Sequence, residues 1–330
     1  MRACAPVIAV LLALGAPLAR AETDWFASVY TPAGVEVRAD ARVFALFCLL
    51  NRAGYDAGPL RREHPVPAYR YPPARVRVRE ALASADPAVL QRAQAFFDAH
   101  PLPLERYLAL TVRIEDETDI PAEFRELEGL ETLLDLVEER WPLPVLRTET
   151  FDDYRSVMRS YLAVLDAPLQ RASRLLRLPE SGPGVRVVVN LLAEEGWVRG
   201  FRTGKGVVVV VGPGKAPELE LLMWEYARLM LPARVGEQAQ ARWTAGPALL
   251  KEAQGLGARE ATVGEYAVAL LSRALALAAL EAPDSAYEAA GRQGYFGLKA
   301  LAGSFGDARP VDAWALEGLA RVGTGRPLRK

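Results

Sequence analysis

Hydrophobic positions recur every three or four residues along most of the chain, the spacing of one buried helix face. This pattern predicts helices over 39–53, 75–84, 87–99, 103–114, 121–140, 150–165, 217–231, 236–254, 262–281, 285–303 and 311–322. The first of these is apolar nearly all round and stops at Gly54, so it reads as a buried helix. Pro87, Pro101, Pro121 and Pro142 punctuate the series, and Asp86-Pro87 reads as a cap followed by proline at the first helical position. Residues 55–73 are proline-rich and without period, a loop. At Gly182 the pattern changes. Val185-Arg186-Val187-Val188-Val189 is β-branched, and Gly206 to Val211 contains five consecutive valines. Both read as strands, and the glycine-bearing linker 193–205 predicts a long hairpin joining them. The expected fold is α+β and predominantly α-helical, with a β-hairpin before the 217–231 helix.

The N-terminus departs from this picture. Arg2, the apolar stretch Val7 to Leu18 and Ala19-Arg20-Ala21 read as a secretory signal cleaved before Glu22. The expected organisation is a signal peptide over 1–21, an N-terminal helical region over 22–180, and a region over 181–330 that forms either its own domain or one with 22–180. The expected location is the periplasm or outside the cell. No later run reads as a membrane span, because Tyr266 to Leu280, the longest candidate, is interrupted by Arg273.

Composition narrows the function classes. Dropping Arg2 and Arg20 leaves 38 basic against 41 acidic residues, interspersed, which argues against a nucleic-acid footprint. Cys48 alone survives signal removal, so no internal disulfide is possible, and its apolar neighbours make it a core residue. The acidic run 115–119 lacks the glycine turn and closing glutamate of a calcium loop. Gly182-Pro183-Gly184 and Gly212-Pro213-Gly214 are turn chemistry, and no phosphate-binding loop is present. His64 sits in the proline-rich loop and His100 closes a helix, so no Ser/His/Asp arrangement is readable.

The 217–231 helix carries two stripes. Leu219, Leu222, Met223, Tyr226, Leu229 and Met230 form an apolar one; Leu221, Trp224, Glu225 and Arg228 form the other. Within the second, Trp224-Glu225-Tyr226-Ala227-Arg228 has the spacing of H-E-x-x-H with both histidines replaced. Alone, this segment is also what any amphipathic helix with a Glu225–Arg228 surface pair would contain.

Four regions together resemble a bacterial family of exported, gluzincin-like proteins classed as a domain of unknown function. They are Arg42-Val43-Phe44-Ala45-Leu46 running on to Ala53-Gly54-Tyr55; Phe96-Phe97-Asp98-Ala99-His100-Pro101; the valine strands before Trp224-Glu225-Tyr226-Ala227-Arg228; and Glu265-Tyr266-Ala267-Val268 with Gly294-Tyr295-Phe296. The resemblance implies a zincin-like core. It matches Glu225 to the general base and Glu265, or alternatively Glu260, to the third metal ligand. Trp224 and Arg228 then stand at the histidine positions, and Phe44 where the family has glutamate. An indole has no lone pair to offer a metal and a guanidinium stays protonated, so neither can hold zinc.

The leading expectation is therefore a pseudoenzyme with no metal and no cofactor, in which either Arg228 pairs with Glu265 and Trp224 fills the vacated volume, or Arg228 and Glu265 both lie on a solvated face. The 185–211 hairpin reads as a buried structural element or, alternatively, as an edge to which a peptide or protein partner adds as a strand. Two alternatives stand beside it: a residual hydrolase using Glu225 and Glu265, or a harder cation held by these with Glu260; and an exported helical interaction protein without peptidase ancestry.

Overall fold

A computed structural model describes residues 28–54, 72–114, 121–179, 184–306 and 308–324. The expected signal peptide, the loop holding His64, the acidic run 115–119 and Gly182-Pro183 lie outside the described residues. Two compact units emerge, residues 1–163 with 184–217, and residues 164–183 with 218–330. The chain thus divides at 163 and 217 rather than at 181, because the valine strands belong with the N-terminal helices.

The first unit begins with strands β1 (Val29–Tyr30) and β2 (Glu36–Ala39) and helices α1 (Ala41–Ala53), α2 (Pro73–Ala81), α3 (Pro87–Ala99), α4 (Leu104–Ile114), α5 (Leu130–Arg140) and α6 (Leu143–Leu162). It closes with β3 (Gly184–Val189), β4 (Val198–Thr203) and β5 (Gly206–Val211). Helix α1 starts where the Asp40 carboxylate accepts from Arg42 N and Val43 N, both at 3.0 Å, and ends at Gly54. It is buried along nearly its whole length and packs against α2, α3, α4 and α5.

The strands correct the expected hairpin. The sheet order is β1-β2-β3-β5-β4, and β3 and β5 run parallel, with Val187 opposite Val209. The true hairpin joins β4 to β5 through Gly204-Lys205, and β4 comes from the segment expected to be linker. Continuous valine runs fit a parallel pair buried on both faces, not a hairpin with one wet face. Strands β1 and β2 were not predicted, although Glu36-Val37-Arg38-Ala39 alternates half-buried and buried side chains. Strand β2 pairs in parallel with β3, and Arg186 Nε donates to Glu36 Oε2 across that pair at 2.9 Å.

The second unit contains α7 (Asp166–Leu176), α8 (Leu219–Met230), α9 (Ala233–Arg242), α10 (Gly246–Gly255), α11 (Val263–Ala279), α12 (Asp284–Arg292), α13 (Leu298–Ser304) and α14 (Val311–Thr324). Helix α7 falls where no element was predicted, and the expected 236–254 and 285–303 helices each divide in two. Helix α11 is the centre: 14 of its 17 residues are buried, against α7, α8, α9, α10 and α13. Among the described residues no helix is long and apolar enough to cross a membrane. The molecule is α+β and mostly helical, as the hydrophobic spacing predicts.

Candidate functional site

Helix α8 buries Leu222, Met223, Tyr226 and Ala227 and leaves Trp224, Glu225 and Arg228 on a partly open face. Trp224 meets Ser272 of α11, and Gly236 of α9 meets Gly264. The α9 contact therefore falls nearer the start of α11 than the α8 contact does. The close crossing depends on two glycines: a Cβ on Gly264 would stand 2.7 Å from Gly236 O. Tyr226 Oη lies 3.3 Å from Ser173 Oγ of α7, and Arg171 Nη1 donates to Ala279 O at the end of α11. These contacts fix the α8–α11 pair from behind.

The expected Arg228–Glu265 pair does not form. Arg228 instead turns back one helical turn and holds Glu225 through Nη2 at 2.5 Å and Nε at 3.2 Å, both to Oε2. Glu265 is spent on its own helix start. Its carboxylate accepts from Ala261 N at 2.8 Å and Thr262 N at 3.2 Å, while Thr262 Oγ1 accepts from Glu265 N at 3.1 Å. This is a reciprocal capping box, which Thr262 and Glu265 three residues apart encode locally.

Trp224 has different company. Its indole Nε1 donates to Ser272 Oγ at 2.9 Å, and the Ser272 hydroxyl donates in turn to Val268 O at 2.7 Å. The neighbouring Arg273, 8 % exposed, places its guanidinium carbon 5.0 Å from the Trp224 ring centre and 4.5 Å from that of Tyr295. The two rings meet edge to face at 5.6 Å. Arg273 Nη2 donates to Gln293 Oε1 at 2.9 Å and to Glu220 Oε1 at 3.2 Å. Tyr295 Oη donates to Glu260 Oε1 at 3.3 Å. Of the two glutamates considered for a third ligand, Glu260 joins the Trp224 cluster and Glu265 does not.

The electrostatics follow from burial. Removal from water, then the Glu260 carboxylate, push the Tyr295 hydroxyl up to about 12 against the opposing pull of Arg273. Glu260 Oε2 and Arg273 Nε are both buried without a hydrogen-bond partner. The sequence pattern alone did not place Glu220, Ser272, Arg273, Gln293 or Tyr295 here. One signal was available: Arg273 is the charge that interrupts the apolar run 266–280.

No three His, Cys, Asp or Glu side chains converge as a metal site among the described residues. His100 Nδ1 lies 2.7 Å from Phe96 O at the end of α3, with its ring against Phe96. Cys48 is fully buried, and burial raises its thiol.

The 185–211 region offers no open edge for a peptide. Within it only β4 lies at the sheet margin. Gly212 N donates to Trp197 O at 2.6 Å, so alternation turns the backbone of residues 198, 200 and 202 outward. Helix α4 lies along this margin: Arg113 Nε donates to Arg202 O at 2.8 Å, and Glu105 Oε1 accepts from Arg199 Nε at 3.2 Å. Arg199 Nη1 caps Val198 O at 2.8 Å. Two outward carbonyls are thus already occupied by guanidinium groups.

Comparison with protein-family models, curated proteins and solved structures gives no match.

Proposed function

We propose that this chain is an exported, non-catalytic protein of zinc-peptidase type, which binds a peptide or protein and does not cleave it. The observation that carries the reading is the state of the two ligand positions. Trp224 donates its N–H to Ser272 and stacks beside a buried arginine, while Arg228 ion-pairs with Glu225. A glutamate held by a guanidinium 2.5 Å away has a competitor for the water it would activate. The packing of α8 against α11 supports the kinship, since α11 begins near the matched downstream glutamates.

The test is metal content and peptidase activity of the purified protein, with and without chelator. The expected result is substoichiometric zinc and no chelator-sensitive cleavage. Stoichiometric zinc that is lost in Glu225→Ala or Glu260→Ala would overturn the reading and favour the residual hydrolase. One observation favours the other alternative, an exported interaction protein unrelated to peptidases: the valine strands and α8 belong to different units.

A further inference from the structure

Arg273 and its carboxylate partner are held in opposite ways. The arginine is 8 % exposed and lies against the corner made by the Trp224 and Tyr295 rings, with Gln293 on Nη2. Two rings packed beside it, together with the Gln293 bond, restrict how the guanidinium turns and therefore the direction of its N–H groups. Glu220 is an outlying arm from the first turn of α8, with its side chain 43 % exposed. It reaches Nη2 through one oxygen at 3.2 Å. Nε, which shares the same side of the guanidinium as Nη2, is buried and makes no hydrogen bond. The Nε–Nη2 edge is the side that accepts a carboxylate through two parallel bonds. Here that edge is half used.

We propose that the Nε–Nη2 edge of Arg273, beside Trp224 and Tyr295, is a receptor for the carboxylate of an acidic partner segment, and that Glu220 is its built-in, displaceable occupant. An incoming carboxylate bonds Nε and Nη2 together and satisfies the orphaned donor. Glu220 swings into water, where a carboxylate is readily solvated. The two rings give the ligand stem an apolar wall, so carboxylates on a carbon chain are preferred over inorganic anions. No bond is made or broken. The inference does not need kinship with peptidases, and loss of that reading leaves it standing.

The experiment is calorimetric titration of the whole protein and of Glu220→Gln with acetate, succinate and, as the uncharged control, acetamide. Glu220→Gln is expected to bind succinate at least about tenfold more tightly than the unchanged protein, since the competing charge is gone. Acetamide is expected not to bind. Adding Arg273→Lys is expected to remove the gain, because an ammonium has no two-donor edge. A folded Glu220→Gln protein with no gain overturns the proposal, as does a gain that survives Arg273→Lys. Loss of the fold in Glu220→Gln overturns it too, since the arm is argued to be dispensable. Arms with acidic peptides, carrying the carboxylate either at the C-terminus or on a side chain, identify which source fits.

Discussion

Arg273 is the one charged side chain between Tyr266 and Leu280, and it is the residue around which the Trp224 cluster is arranged. A lone charge in a buried helix needs partners, and the sequence advertises the need without naming them. The partners come from residue 220, 53 positions upstream, and residue 293, 20 positions downstream, distances no local pattern reports. Glu265 shows the opposite case: its role is written three residues away, in Thr262, and the capping box explains the carboxylate that family resemblance assigned to a metal. Thr262→Ala is accordingly expected to lower stability by about 1 kcal/mol, read from the urea midpoint, without changing metal content. A second residue-scale consequence concerns pH. Burial, then the Glu260 carboxylate, push the Tyr295 hydroxyl up to about 12 from its ordinary value of 10. Its neutral form is favoured by folding, so this stabilisation is intact below the ordinary value and is lost as pH rises through the folded one. Tyr295→Phe is expected to flatten that part of the alkaline stability profile; an unchanged profile in thermal melts would count against the assignment.

At the level of elements, helical spacing located most helices, because one buried stripe per helix is enough to define them. It failed at 166–176, a short helix after a proline-poor run, and at the breaks near Trp243 and Gln293, where periodicity continues across a turn. Strand pairing is less legible: valine content announces burial and not direction, so the sequence reads as a β3–β5 hairpin while β4 supplies the real one. Two element contacts yield tests. Gly264→Ala drives a methyl against Gly236 O and is expected to cost about 1–3 kcal/mol in denaturant unfolding, with the α9–α11 crossing as the site of strain. Arg113→Ala combined with Arg199→Ala uncaps the outward carbonyls of β4. Exposed sheet margins recruit further strands. Light scattering is expected to show concentration-dependent self-association in the double variant and none in the parent; a double variant that stays monomeric would show that α4 covers the margin without help from these guanidinium groups.

For the whole molecule, the two units are interleaved along the chain, since residues 164–183 belong with 218–330 and residues 184–217 with the N-terminal helices. A boundary at 181, natural on composition, cuts both. The fragment 22–180 is expected to lack a cooperative melt, having lost β3, β4 and β5; the fragment 181–330 is expected to aggregate, having lost α7 and its Arg171 and Ser173 contacts. A monomeric fragment with a sharp transition would contradict the division.

The parallel ladder between β2 and β3 carries a consequence for biogenesis. Glu36 and Arg186 are register partners, so β2, the second strand made, must wait for some 150 further residues before this parallel neighbour leaves the ribosome. Such long-range closure is slow. Until residues 184–211 have been synthesised, β2 and the helices that follow it stand without the strands that complete their sheet.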